Sequence, residues 1–493
     1  ENEQDRQYGA ELIGNMESNK AVFYLVELLT DFKPKVRIAA IKAAEKKYSY
    51  EILISLINNL ASSRFSNFAK SALVRIGHDA LKPLDNGFYK SGQDAKLMVK
   101  LVQLIGRIGG EDAIQLLWPK IDFPDKIISS QVIISLSEAG FKADIGQMTR
   151  IKYAIENDIG DIAWNLAASL EIPQDEHSAY LNESLLEENV NDIKHIYTLL
   201  SMLYDPASIH LVKQNLESGT NEGITLAIEM LDVLLSEDLK NKIIPVLDDI
   251  SVAEKVKKLE PFYPRIDLDS MQVMKFLLNR DFTQSNRWTK CCVLYHMGVL
   301  KKEVYTNDII ANLFNPDDMI KQMAAWALYQ ISEDLYLEHI IRLSEEFQQI
   351  CDAGIREDQT LGKGSLVFEK TLFLKSMYIF NKVSSLDLSY MADSLEEKFI
   401  DIGDTLSLGK ELANSFIIVV TGNLSYYQEN EVKSSIGEGE FIGELVLDDK
   451  ALESAMIVAN KNTKLYVIDK DIWHDLLADN IIFAQSVFAN LTA

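Results

Sequence analysis

The stretch GEGEFIGELVLDDKALESAMIVA, residues 437–459, has the residue order of a binding loop between two β-strands. Gly437 and Gly439 lie close together and predict a turn in which the backbone takes positive φ. The short apolar run at residues 442–445 then predicts one helical turn. A helix N-terminus preceded by glycine is a favourable place for an anion, because its backbone N–H groups are free to donate.

This stretch resembles the phosphate-binding cassette of the cyclic-nucleotide-binding domain family. The family pattern is Gly-x-x-Phe-Gly-Glu-Leu-Ala-Leu, a variable loop, and then Arg-Ala or Arg-Ser-Ala before a strand. The resemblance implies that Glu444 accepts a hydrogen bond from a ribose hydroxyl and that backbone N–H groups of the adjoining turn hold the cyclic phosphate. Glu453 falls where the family has its phosphate-binding arginine. The candidate ligand-binding residues are therefore Gly443, Glu444, Leu445, Glu453 and Ser454.

The carboxylate at position 453 predicts that the roll binds neither cAMP nor cGMP, so no cofactor is expected. A second interpretation of Glu444 is a helix cap that accepts backbone N–H groups. Glu453 is also interpreted as a solvated residue of a loop that carries Asp448 and Asp449. Clustered carboxylates can hold a hard cation, but the spacing that metal ligands require is absent, and no metal site is predicted.

The resemblance extends over the last quarter of the chain. It implies helices at residues 366–380 and 386–395, turns at Gly403 and Gly409, a strand at 416–422, a last strand at 464–468, and helices at 471–477 and 481–491. Short β-branched runs bounded by Gly, Asn and Asp favour a small antiparallel roll independently of the family.

Residues up to about 350 show helical periodicity with short polar breaks. Residues 25–41 resemble a HEAT repeat: an apolar helix, a turn with Asp and Pro, and Val-Arg opening an Ala-rich helix. Similar second helices end at Gly77, Gly109 and Gly140, spaced as in helical-pair repeats, and each glycine is predicted to cap a helix. The repeat returns at residues 223–235, 288–299 and 315–328, where Trp326 is predicted to lie in the core.

The predicted fold class is mainly α: an α-solenoid of HEAT-like helical pairs, followed by a C-terminal α+β domain with an antiparallel β-roll. The predicted domains are a solenoid at residues 1–352, a linker at 353–365 and the roll domain at 366–493. The linker contains Gly-Lys-Gly-Ser at 362–365, but neither the spacing nor the preceding strand of a phosphate loop is present.

Composition limits the partners. The chain has 493 residues and a net charge of −25, which repels phosphate backbones, so nucleic acid is not expected as a partner. The three cysteines, Cys291, Cys292 and Cys351, have no metal-binding or disulfide spacing and predict buried thiols in a reducing compartment. No apolar run is long enough to insert into a membrane. We expect a cytoplasmic protein.

No catalytic residue is predicted. The seven histidines are scattered singly, and none adjoins a nucleophile pattern, so each is interpreted as a surface or packed residue. A solenoid presents a long surface for protein partners. The sequence therefore predicts a non-enzymatic regulatory or protein-interaction module. The alternative is a working cyclic-nucleotide or other small-ligand sensor that controls the solenoid.

The order of the two modules resembles the C-terminal part of bacterial proteins in which an ATP:ADP-antiporter-type nucleotide transporter precedes HEAT repeats and such a roll. Residues 227–239 share this resemblance. It implies a membrane region before Glu1, a cytoplasmic position tethered to the inner membrane, and the membrane domain of the same polypeptide as a partner.

Overall fold

The structure is a computed structural model that describes residues 2–16, 22–90, 94–355, 364–408, 412, 415–428, 431–442 and 455–491. Its backbone packing divides the chain into two compact units, Glu1–Asn286 and Arg287–Ala493. Within the described ranges, no helix is both long enough and apolar enough to cross a lipid bilayer.

The first unit is built from helices connected by short loops. Their bounds are α1 Glu3–Asn15, α2 Tyr24–Leu28, α3 Pro34–Ala44, α4 Tyr50–Asn59, α5 Ser63–Ile76, α6 His78–Phe88, α7 Ala95–Ile108, α8 Glu111–Leu117, α9 Lys126–Glu138, α10 Ile145–Glu171, α11 Ala179–Leu203, α12 Pro206–Glu217, α13 Asn221–Leu234, α14 Glu237–Leu247, α15 Val252–Leu259 and α16 Ser270–Asn279.

Helices α1 to α9, together with α11, lie in two rows. The odd-numbered helices from α1 to α11 each pack on the next odd-numbered helix, and the even-numbered helices from α2 to α8 do the same. Each helix also packs across to the other row, as α4 does on α5 and α6 on α7. Stacked helical pairs bury a continuous core in this way, because no pair can cover its own apolar face.

Glycines allow the closest approach between helices of the odd-numbered row. A Cβ atom built on Gly106 of α7 would lie 2.5 Å from Cβ and 2.9 Å from Cα of Ser135 in α9. A Cβ atom on Gly14 of α1 would lie 2.9 Å from Cα of Ala43 in α3. Because Cα atoms belong to the rigid backbone, neither contact can be relieved by rotating a side chain.

Three glycines end helices of the same row. Gly77 and Gly109 are the C-caps of α5 and α7, with φ of 73° and 69°, and Gly140 follows α9 with φ of 80°. These positions favour glycine, since a side chain is strained there. The predicted helix ends are confirmed.

The second unit starts with helices and continues into strands. The helices are α17 Arg287–Leu300, α18 Thr306–Asn312, α19 Asp318–Ile331, α20 Glu333–Ile340, α21 Glu345–Ile355, α22 Val367–Ser376, α23 Ser385–Ala392, α24 Lys470–Asp479 and α25 Ile481–Leu491. The strands are β1 Glu396–Ile400, β2 Thr405–Ser407, β3 Ser415–Thr421, β4 Leu424–Gln428, β5 Glu431–Ile436, β6 Phe441–Ile442, β7 Ala455–Ala459 and β8 Thr463–Asp469.

The strands form two four-stranded antiparallel sheets, in the orders β1-β8-β3-β6 and β2-β7-β4-β5. Alternate residues of the strands point inward and form one apolar core between the sheets, among them Val419, Leu424, Ile457 and Leu465. The mainly helical fold with a C-terminal antiparallel roll, predicted from the sequence, is confirmed.

A buried arginine joins the helices of the second unit to the roll. Arg287, at the start of α17, is 4% exposed. Its Nη1 and Nη2 donate to the two carboxylate oxygens of Asp393 over 2.6 and 3.1 Å, and its Nε lies 3.0 Å from Asp317. Asp393 follows α23, which leads into β1, while Asp317 caps the N-terminus of α19. The guanidinium of Arg287 therefore connects α17 to the N-terminus of α19 and to the segment between α23 and β1.

Aromatic and backbone contacts reinforce this junction. The ring of Phe368 in α22 stacks on Trp288 and Tyr295 of α17, with centroids 4.9 and 5.4 Å apart. The backbone N–H of Val367 donates to Oε1 of Gln322 in α19 over 3.0 Å. Helices α17 to α23 and the roll therefore share one compact unit.

The compact division at residue 286 differs in position from the boundary predicted at residues 353–365. Of that predicted linker, residues 356–363 lie outside the described part of the chain. The linker and the domain limits at 1–352 and 366–493 stay predictions.

Some finer predictions change in the structure. Trp326, predicted in the core, is half-buried and stacks on Tyr295 with centroids 5.3 Å apart. Both Gly437 and Gly439 were predicted to take positive φ. Gly439 does, with φ of 77°, whereas Gly437 does not. All three cysteines are buried and free, as predicted.

We expect Gly106→Ala to lower the free energy of unfolding by about 1 to 3 kcal/mol, since the new methyl group meets the Ser135 backbone. Gly9→Ala in α1 is the matched control, because a Cβ atom there meets nothing within 4 Å. It should leave stability equal or raise it by about 0.5 to 1 kcal/mol through helix propensity. Urea unfolding followed by far-UV circular dichroism measures both. Equal effects of the two substitutions would contradict the close helix contact.

We expect Arg287→Met to destabilise the second unit by about 1 to 3 kcal/mol, because the partly exposed carboxylates of Asp317 and Asp393 lose the charge-assisted contacts of their shared, buried cation. Lys433→Met is the control, since it breaks the exposed pair with Glu431 in the same unit and should leave unfolding unchanged. Hydrogen–deuterium exchange of the intact chain should show faster exchange in α17, α19 and α23 together. Faster exchange confined to α17 would contradict the role of Arg287 as a junction.

Candidate functional site

The five residues predicted to bind a ligand, Gly443, Glu444, Leu445, Glu453 and Ser454, lie outside the described residues. The structure shows the frame on either side of them. Strand β6 ends at residue 442 on β3, in one sheet, and β7 begins at residue 455 between β2 and β4, in the other. The segment with the predicted site residues therefore connects the two sheets.

The frame has the turns that the sequence predicts. Gly403, Gly422 and Gly439 take positive φ, whereas Gly409 lies outside the described residues. At Gly422, a Cβ atom would lie 2.8 Å from the carbonyl oxygen of Asn462. Ala455, predicted to open the strand after the loop, is the first residue of β7 and is fully buried. The positive φ values favour glycine at residues 403, 422 and 439, since a side chain is strained there.

Carboxylates and lysines that pair with carboxylates lie on the strands and turns on either side of the predicted ligand-binding residues. Oε2 of Glu440 accepts from the backbone N–H of Gly437 over 2.6 Å, which holds the turn before β6. Lys433 of β5 pairs with Glu431 at 2.9 Å, and Lys464 of β8 lies 3.3 Å from Glu397. These two lysines already have carboxylate partners of their own.

A second group of functional side chains lies in the first unit, where α9, α10 and α11 come together. The group contains four carboxylates, two cations and one imidazole: Asp158, Asp161, Glu188, Asp192, Lys126, Arg280 and His195. We call these seven residues the polar cluster. Helix α10 supplies Asp158 and Asp161 one turn apart, and α11 supplies Glu188, Asp192 and His195 along one face.

Ion pairs organise the polar cluster. Lys126 Nζ lies 2.7 Å from Oδ1 of the fully buried Asp192 and 3.9 Å from Asp161. Arg280 donates to Asp161 over 2.6 Å and to Asn165 over 2.8 Å. Both cations lie between α10 and a neighbouring helix, so they stabilise the packing of these helices only while the carboxylates are ionised.

Three side chains of the cluster come close enough to share a ligand. Asp158, Asp192 and His195 each offer one ligand atom, and these atoms lie within 4.8 Å of one another. Oδ2 of Asp158 is shielded from solvent and accepts no hydrogen bond from any described residue. A cavity of about 670 Å³ opens beside the cluster, lined in part by Asp158, Asp161, His195 and Arg280.

Burial perturbs the titration of the cluster. Burial raises the pKa of Asp158 well above its usual value, and the charge of Asp192 adds to this effect. Burial lowers the pKa of His195 to about 4, with Lys126 and Lys194 acting in the same direction. Burial opposes the charge of Lys126, but the carboxylates around it outweigh burial and raise the pKa of Lys126. At neutral pH the imidazole is therefore uncharged.

Sequence reasoning missed the polar cluster and treated His195 as one of seven isolated histidines. A signal was present: Asp192 and His195 are three residues apart in a helical segment, which places a carboxylate and an imidazole on one helix face. The partners Lys126, Asp158 and Arg280 are distant in sequence and come together only in the fold.

Comparison with known proteins identifies the roll. The profile of the cyclic nucleotide-binding domain family matches residues 397–480, which include β1 to β8 and α24. The C-terminal part of the chain is thus a cyclic nucleotide-binding domain in sequence and fold.

Similar proteins share this segment. A cAMP-dependent protein kinase regulatory subunit of Hypocrea atroviridis is 26% identical over 105 residues, which cover 21% of this chain and only 23% of that protein. The sensor domain of the transcriptional regulator DNR from Pseudomonas aeruginosa is 18% identical with a TM-score of 0.23, covering 26% of this chain and 88% of that one. The Thermus thermophilus catabolite activator protein is 18% identical with a TM-score of 0.21, covering 23% and 56%.

The buried charge of Asp158 generates a pH-dependent prediction. Burial raises the pKa of Asp158 in the folded protein above the value near 3.8 of the unfolded chain. Deprotonation of Asp158 therefore lowers the free energy of unfolding, and this loss grows as the pH rises above 3.8. In chelator, Asp158→Asn should raise the free energy of unfolding by on the order of 1 kcal/mol near pH 8 and have little effect near pH 4.

Asp267→Asn, at an exposed position of the same unit, is the control and should change stability at neither pH. Urea unfolding at the two pH values measures both variants. A loss of stability in Asp158→Asn near pH 8 would show that the carboxylate is held by favourable partners in the folded protein.

Proposed function

We propose that the chain is a non-catalytic regulatory or protein-interaction module whose cyclic nucleotide-binding domain does not bind a cyclic nucleotide. The observation that carries this proposal is in the sequence of the domain: residues 366–493 contain no arginine. The position that aligns with the phosphate-binding arginine is Glu453, and no neighbouring arginine can replace it.

The missing arginine has a large energetic effect. A bidentate contact between arginine and phosphate contributes roughly 3 kcal/mol through charge-assisted hydrogen bonds, so its loss weakens binding on the order of a hundredfold. A carboxylate at the same position adds repulsion. The two lysines described above, Lys433 and Lys464, have carboxylate partners and do not supply the missing charge without breaking those pairs.

The fold supports a docking role for the domain. Arg287, with Asp393 and Asp317, fixes the start of the roll to α17 and α19, and Phe368 of α22 stacks on Trp288 of α17. A protein that binds the roll would therefore act on α17 and α19 as well. Transmission of this kind needs a rigid junction, and it needs no small ligand in the roll.

The helices of the first unit offer a surface for a partner. Exposed apolar side chains lie on α10 and α13, where Ile145 and Val233 are each 87% exposed, and in the loop between α2 and α3, where Phe32 is 79% exposed. We propose that HEAT-like helical pairs bind a protein here, and that the membrane domain of a nucleotide-transporter-like protein is that partner. This placement rests on the order of the two modules and makes the chain cytoplasmic and tethered to the membrane. About a dozen apolar spans in the coding sequence upstream of Glu1 would support it.

The second candidate is a working cyclic-nucleotide sensor. It is favoured by the match of the family profile over residues 397–480 and by the similarity to a regulatory subunit of a cAMP-dependent kinase. In this function, Glu444 would accept from the ribose and the backbone of the loop would hold the phosphate without an arginine.

Calorimetric titration of the intact chain with cAMP and cGMP separates the two functions. We expect no binding to the natural chain and measurable binding to Glu453→Arg, strengthened on the order of a hundredfold or more by the restored phosphate contact. Glu396→Arg, at an exposed position of β1, is the control because it changes the charge of the same domain by the same amount.

Binding to the natural chain that disappears in Glu444→Ala would contradict the proposal and establish the sensor. Equal gains in Glu453→Arg and Glu396→Arg would show that overall charge, and not a local contact, governs binding. That result would remove the argument from position 453.

A further inference from the structure

Three side chains of the polar cluster have the chemistry and the spacing of metal ligands. Asp192 and His195 lie three residues apart on α11, so they project from the same side of the helix one turn apart. Asp158 faces them from α10. The three ligand atoms lie within 4.8 Å of one another, which places a common point within reach of all three.

The charges of the polar cluster favour a bound cation. Among these seven residues, four are carboxylates, Asp158, Asp161, Glu188 and Asp192, and two are cations, Lys126 and Arg280. With all carboxylates ionised, the group therefore carries two more negative than positive charges. Uncompensated charge is costly away from water, and a divalent cation would balance the excess.

An independent observation points to the position of that cation. Oδ2 of Asp158 is shielded from solvent, yet it accepts no hydrogen bond within the described part of the chain. A buried carboxylate oxygen without a donor is unfavourable unless a ligand binds it. Asp158 and His195 also line the cavity of about 670 Å³, which has room for water molecules to complete a coordination sphere.

The ammonium of Lys126 must leave room for the cation. Its Nζ lies 2.7 Å from Oδ1 of Asp192 and 3.9 Å from Oδ2 of Asp161. The same Nζ lies 3.0 Å from Oδ2 of Asp192, so the lysine side chain would rotate towards Asp161 to free an oxygen of Asp192 for the cation. Lys126 would thus pair with Asp161 in place of Asp192, and its ammonium would stay within the polar cluster.

We propose that Asp158, Asp192 and His195 bind a divalent transition-metal ion, with Zn²⁺ as the best-matched cation, and that the ion links α10 to α11. One imidazole nitrogen with two carboxylate oxygens suits Zn²⁺ better than Ca²⁺ or Mg²⁺, which prefer oxygen ligands alone. Three protein ligands leave a fourth position of a tetrahedral site towards the cavity.

Zinc titration of the intact, chelator-treated chain tests the proposal. We expect one equivalent of Zn²⁺ to stay bound through gel filtration, as measured by elemental analysis, and to raise the thermal midpoint of unfolding. His195→Ala and Asp158→Asn should each weaken Zn²⁺ binding tenfold or more, on the order known for altered zinc sites. His210→Ala, which removes an exposed histidine of α12, should bind as the natural chain does.

Stability provides a second readout that separates a metal site from an ion-pair network alone. In chelator, Asp158→Asn should be at least as stable as the natural chain, and with Zn²⁺ the order should reverse. Since asparagine has the shape of aspartate, this variant decides the question if His195→Ala does not fold. Absence of stoichiometric Zn²⁺, or unchanged binding in Asp158→Asn, would overturn the proposal.

Discussion

The guanidinium of Arg287 is the contact on which the second unit depends. It is buried, and it holds Asp393 at the start of the roll and Asp317 at the start of α19 with one rigid, planar group. Arg287 itself is buried, so loss of either carboxylate leaves a guanidinium with fewer partners away from water. Within the second unit, one side chain therefore holds α17, the start of α19 and the segment that leads into β1.

The sequence predicts the secondary structure well because the signals are local. Helical periodicity, the C-cap glycines Gly77 and Gly109, and the β-branched runs of the roll each act over a few residues. The position of the compact division is different. It depends on Arg287 and Asp393, which are 106 residues apart, and on the stacking of Phe368 against α17. No local pattern in the sequence indicates such pairs.

The two candidate sites also differ in whether their residues are close together in the sequence. The roll site was predicted because its five residues lie in one short segment with a family pattern, and Glu453 stands out against that pattern. The polar cluster was missed because Lys126 and Arg280 reach α10 from different helices, and only Asp192 and His195 share a local spacing. Long-range electrostatics of this kind becomes visible when the helices are packed.

The absence of arginine from residues 366–493 and the junction at Arg287 are the two observations on which the proposed docking role of the roll rests. Hydrogen–deuterium exchange of the intact chain with and without saturating cAMP tests this role most directly. The account predicts identical exchange in residues 437–459 and in α17 and α19. Protection of residues 437–459 by cAMP, accompanied by a change in α17 or α19, would contradict it and show a working sensor.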